Sequence, residues 1–256
     1  MLKRTYGWRR PKVDPRSYSY TGRLHEQAAL PKATNNIIYH GPIYDQGQEG
    51  GCVGHSCIEI LDFLGNKHKR QHPMLSRQMA YADARRIDPG TLPLTDSGSS
   101  LHAGLQGLVK WGVSPESVWP YTTADMDVVP TLKAYQAAAA YKVLKYEQLR
   151  TEQAMLSCMA NGYGFIAGID CFNGIDSDQA YETGVIPMPG PNEDPIGGHA
   201  IFLCDFDLTH WRYTFQNSWG PWGATINGVR GFGYLPMKYA EKYMSDCWAV
   251  YIDAGV

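Results

Sequence analysis

Long hydrophobic runs are missing from this chain. No stretch approaches the roughly 18 residues of a membrane span. The basic opening, MLKRTYGWRRPKVDPRSYSY, carries no apolar segment of the secretory kind. A strong charge of either sign is missing too: the formal net charge is −2, which removes the electrostatic case for nucleic acid or an anionic membrane as partner. Six cysteines, Cys52, Cys57, Cys158, Cys171, Cys204 and Cys247, are spaced irregularly, without one C-x-x-C pair. Free thiols in a reducing compartment are therefore expected. There is no internal repeat, and low complexity is limited to AAAA at 137–140.

What remains is an ordinary globular composition, with 44% hydrophobic and 19% charged residues among 256. That length suffices for one large domain or two lobes around a substantial core. Apolar positions Val53, Cys57, Ile60, Leu61 and Leu64 recur at helical spacing, and Gly65 and Asn66 predict the stop. A second helix is predicted over 76–87 with Ser76 as its cap, and a third after Ser100, ending at Gly112. Beyond about residue 130 the pattern changes. YGFIAGID, GHAIFLCDFD, WRYTFQNSW, RGFGYLP and CWAVYI read as strands separated by Gly, Pro or Asp turns, after one short helix over 151–160. A helical first half and a β-rich second half predict an α+β fold with a site in the cleft between them.

GPIYDQGQEGGCVGHSCIEILDF, residues 41–63, places Cys52 at a helix start, where unpaired N–H groups and the dipole favour a thiolate. Gly47, Gly50 and Gly51 permit close backbone approach, and the Gln46 amide is a candidate donor for an oxyanion beside Cys52. A buried apolar cysteine is the commoner role for such a residue. His199 opens an apolar strand after two glycines and is the candidate base; a satisfied core histidine is the plain alternative. His55, three residues after Cys52, reads as packing. Asn217 in FQNSWGPWG offers a carbonyl to an imidazole N–H, with Trp219 as shield; a turn Asn beside aromatic core residues is the commoner role of a lone N-S-W. Zinc on Cys52, His55 and Cys57 lacks a fourth ligand at a usual spacing.

DQGQEGGCVGHS, GGHAIFLCDFD and NSWGPWG together closely resemble the three signature segments of papain-like cysteine peptidases, in the order Cys, His, Asn. The resemblance covers about residues 30–256. It implies a helical lobe (about 45–130) and a β-barrel-like lobe (about 131–256) with the active-site cleft between them, preceded by an N-terminal extension, residues 1–29. It further implies Cys52 as nucleophile, His199 as its acid/base partner, Asn217 orienting His199, and Gln46 with the Cys52 backbone N–H as oxyanion hole. Trp219 would shield the His199–Asn217 contact. Gly98 and Ser99 would hydrogen-bond an extended peptide on the cleft wall, and Ala200 would line a substrate pocket. The implied reaction is hydrolysis of peptide bonds in a peptide or protein substrate through a thioester, with no metal or organic cofactor.

Three departures stand out. Where the family has a cysteine before the nucleophile, this chain has Glu49, and the partner cysteine falls near Asp96; an intracellular or virion-internal compartment is the expectation that follows. The tryptophan after the nucleophile is replaced by Val53. The leader is short, like the GW…P…D.R.Y leader of prokaryotic and viral papain-like peptidases, and is expected either across the back of the lobes or in the cleft as a plug. An amidase or transpeptidase using the same triad, or a catalytically silent papain-like binding module, remain the alternatives. Oligomeric state is not legible.

Overall fold

The computed structural model describes residues 4–11, 17–26, 29–88 and 92–252. Its first half holds α1 (Cys52–Lys67), α2 (Arg77–Ile87) and α3 (Leu101–Lys110). Ser76 and Ser100 cap α2 and α3, accepting from the backbone N–H groups of Met79 and Ala103. The second half contains α4 (Leu132–Ala138), β1 (Lys145–Gln148), α5 (Glu152–Ala160), β2 (Phe165–Cys171), α6 (Asp178–Thr183), β3 (Gly197–Asp207) and β4 (Arg212–Gln216). It ends with β5 (Ala224–Ile226), β6 (Val229–Pro236), α7 (Met237–Tyr243) and β7 (Met244–Tyr251). The strands form one antiparallel sheet in the order β1-β7-β2-β3-β4-β6-β5. Strands β1 and β5 are its edges, so the barrel-like wall is an open sheet.

Strand β3 carries the logic of the interior. Its side chains alternate: Ala200, Phe202 and Cys204 join the core shared with α1–α3, while Ile201 and Leu203 join a second core under α5 and α7. Both faces are covered, so the strand reads as an unbroken apolar run. Helix α1 lies in the first core, buried from Cys52 to Gly65, with Phe63 and Phe202 rings 5.2 Å apart. One apolar stripe would predict a half-buried helix; this one is enclosed on all sides and carries His55, Glu59 and Asp62 inward. It also runs past the expected stop at Gly65. A side chain there would meet His72 at 2.6 Å, so the glycine serves packing, not termination. All six cysteines are free and buried. Among the described residues, no helix is long and apolar enough to cross a membrane.

The described residues of the leader lie in two places. Residues 17–26 lie beside β1, where Tyr20 donates to Gln148 and Gln148 to Tyr18 through backbone groups. Residues 4–10 lie between β3 and the segment before α3. The Trp8 N–H donates to the Gly198 carbonyl at 2.9 Å, Arg9 N–H to Ser99 O at 2.8 Å, and Ser99 N–H to Gly7 O at 2.9 Å.

Candidate active site

Cys52 is the first residue of α1, with Gly51 as N-cap. Its thiol is fully buried, and backbone hydrogen bonds from Ala200, Gly7 and Val53 act on it. Ala200 directly follows His199, the third residue of β3. His199 donates from Nε2 to Asn217 Oδ1 at 2.9 Å. That oxygen also accepts the Ser218 N–H at 2.9 Å, which identifies it as the amide's carbonyl. The ring's proton therefore sits on Nε2. Nδ1, the basic nitrogen, makes no hydrogen bond among the described residues. Trp219 stacks on the imidazole, with centroids 4.5 Å apart and planes 24° from parallel.

Gln46 is held from several directions. Its Oε1 accepts from the Ser218 hydroxyl at 2.7 Å. Its backbone N–H donates to Ser218 O at 2.8 Å, and its carbonyl accepts from Tyr121 Oη at 3.0 Å. With the oxygen side engaged, Nε2 faces the cleft and donates to Glu49 O at 2.7 Å and to the Thr5 carbonyl at 3.3 Å. Ser218 and Tyr121 escaped the sequence reading. The only available signal was Ser218's place inside NSW, which does not reveal a partner 172 positions away.

Ser99 is buried and exchanges two backbone hydrogen bonds with the leader. Gly98 makes none with it. Its N–H pairs with Tyr81 Oη at 2.9 Å; its contribution is space, since a Cβ there would lie 2.3 Å from Gly7 O, at a φ of +74°. Ala200 is buried and pairs across the sheet with Gly168. His55 is fully buried, with Nδ1 2.9 Å from the Gly51 carbonyl; its ring packs against Tyr44 and Tyr121. Among the described residues, no three His, Cys, Asp or Glu side chains are grouped to hold a metal ion.

The leader shapes the electrostatics. Arg4 lays its guanidinium over Trp219, 4.1 Å from the ring centroid, and approaches Asp176 at 3.8 Å. Tyr6 donates to Asp176 at 2.7 Å, and Arg10 pairs with Asp170. A cavity of about 470 Å³ beside Trp219 is lined by Arg4, Asp45, Asp176, Asp178 and Glu182, so a basic segment lies along an acidic groove. Water exclusion pushes the Cys52 thiol up to about 11 and pulls His199 down to about 4, against a smaller upward effect from Asn217. At neutral pH the two are a thiol and a neutral imidazole.

Glu49 and Asp96 meet at the neck of the nucleophile loop. Asp96 accepts from Gly50 N–H at 3.1 and 3.0 Å and from Tyr81 Oη at 2.6 Å. Burial first, then a hydrogen bond with Asp96, raises the Glu49 carboxyl above its usual range.

No family model matches the sequence. The chain is 28% identical over 244 residues to an uncharacterized peptidase C1-like protein of Acanthamoeba polyphaga mimivirus, covering 89% of this chain and 73% of that protein. Its structure superimposes on xylellain, a cysteine protease from Xylella fastidiosa, with a TM-score of 0.84 and 26% identity over 99% of both chains. A cysteine protease of Carica candamarcensis, solved in complex with E-64, shares the fold at a TM-score of 0.64 and 19% identity, over 88% of this chain and all of that one. In sequence and in fold the chain is similar to papain-like cysteine peptidases.

Proposed function

We propose that the protein hydrolyses peptide bonds with Cys52 as nucleophile, and that the described structure is its closed form. The observation that carries this reading is a peptide already in the cleft. Residues 4–10 lie extended along it, and the Thr5 carbonyl sits on the Gln46 amide beside Cys52. A substrate replacing that segment would present its own carbonyl there. The Cys52 sulfur, its proton taken by His199 Nδ1, would attack the carbonyl carbon. The oxyanion would rest on Gln46 Nε2 and the Cys52 N–H, His199 would return the proton to the departing amine, and water would then cleave the thioester. Asn217 fixes the tautomer this requires, and Trp219 keeps water from that hydrogen bond.

A single oxyanion donor contributes about 3–4 kcal/mol to such a transition state. Gln46→Ala is therefore expected to lower kcat about a hundredfold or more, and Cys52→Ala to abolish turnover in a peptide-hydrolysis assay. Full activity in Cys52→Ala would overturn the assignment. Labelling by an epoxide inhibitor of thiol peptidases separates a working site from a silent binding module, and product analysis separates hydrolysis from ligation.

A further inference from the structure

Trp8 is 4% exposed, and its ring fills a slot that two glycines keep open. A Cβ on Gly168 would lie 1.9 Å from the indole, and one on Gly198 would lie 2.5 Å from it. At the floor is Asp246. Its Oδ1 accepts from Trp248 Nε1 at 2.6 Å, and its Oδ2 from the Leu101 N–H at 2.8 Å and from Trp8 Nε1 at 3.0 Å. Two of these donors belong to the fixed frame, one from the start of α3 and one from β7. The third comes from the removable segment. Asp246 is 5% exposed, so when residues 4–10 leave, Oδ2 presents an acceptor to the slot. Burial raises its pKa, against the pull of the three donors.

We propose that Asp246, at the floor of this slot, makes the cleft select substrates presenting a flat side chain with an N–H donor. Tryptophan ranks first and arginine second, over the hydrocarbon side chains of phenylalanine and leucine. This rests on the peptidase reading and adds its substrate class. A site built around a buried acceptor rejects ligands that leave the acceptor unpaired, far more sharply than an apolar pocket rejects a change of size. Phenylalanine would fill much of the slot and leave Oδ2 short of its second donor. Arginine keeps a planar donor group that a carboxylate receives.

The test begins with the full chain and needs no catalysis. Trp8→Phe, Trp8→Leu and Trp8→Arg are compared with wild type by the rate at which iodoacetamide alkylates Cys52 at neutral pH. Phe and Leu are expected to expose the thiol about tenfold faster or more, and Arg less than either. Equal protection by Trp8→Phe would overturn the inference. The full chain opened by Trp8→Leu is then offered peptides differing only in Trp, Arg, Phe or Leu. The expected order is Trp, then Arg, with Phe and Leu at least tenfold behind in kcat/KM, and the preference shrinking in Asp246→Asn. Cleavage of all four at equal rates would sink the inference and leave the peptidase reading intact. No cleavage of any peptide, with the position-8 ranking preserved, would count against the peptidase reading and leave the selectivity of the pocket standing. Should Asp246→Asn fail to fold, the position-8 series still decides.

Discussion

At the scale of single residues, Cys52 and His199 are neutral because water is kept from them. With its pKa near 11, about one thiol in ten thousand is ionised at pH 7. The closed form holds that proton more tightly than an open one. Its advantage is full below the thiol's usual 9.0 and is lost as pH rises through about 11. His199 works the other way: the closed form's advantage is full above 6.5 and is lost as pH falls through about 4. Alkylation of Cys52 in the full chain should therefore climb only in strong alkali. In Trp8→Ala, where water enters, the climb should begin lower, with the rate at pH 7 at least tenfold higher. Superimposable pH profiles would show that the leader does not set these values. Glu49 offers a second titration. Its raised pKa gives stability that is full below 4.5 and lost as the pH rises past its folded value. Glu49→Gln should gain on the wild type in denaturation midpoint at pH 7.5 relative to pH 4.

Residues flanked by their own local grammar were legible from the sequence. Cys52 follows two glycines and opens a helix, His199 follows two glycines and opens a strand, and Asn217 precedes an aromatic turn. Asp246 has no such grammar. It stands in SDCWAV as any turn residue would, at a φ of +55°, and its partner Trp8 is 238 positions away.

At the scale of elements, capped helices and long strands were readable because serine caps and unbroken apolar runs are local signals. Helices α4, α6 and α7 and strands β1 and β5 are three to seven residues long. Too short to display a period, they owe their form to what they pack against. Helix α1 shows a deeper limit. Periodicity marked one stripe, while the fold encloses the whole cylinder and with it Glu59, neither of whose oxygens has a hydrogen-bond partner among the described residues. Burial, and then Asp62, raises its pKa well above the ordinary carboxylate range. Glu59→Met, similar in volume and without polar atoms to satisfy, should stabilise the protein by about 1–3 kcal/mol, read as a higher midpoint in urea. A loss of stability would mean that the carboxyl has a partner after all.

At the scale of the molecule, the cleft is a seam between the segment leading into α3 and the strand β3. Residues 7–9 stitch its two sides, with Ser99 taking two hydrogen bonds and Gly198 one. Removing Trp8's side chain should therefore release the stitch rather than unfold the domain, because among the described leader residues Trp8 alone joins the first core. Trp8→Ala is expected to gain peptidase activity at least tenfold, with a circular-dichroism spectrum like that of the wild type.

The occupant of the cleft is tied to the molecule it blocks. Its local concentration is set by the length of the tether, on the order of millimolar for a short one, and does not change when the solution is thinned. On the proposed function, latency of this kind would persist at any dilution, whereas a block supplied by a second copy would fade as the protein is spread out. A substrate present at micromolar levels would then compete against a ligand that never diffuses away, and turnover would wait on how often the leader lifts.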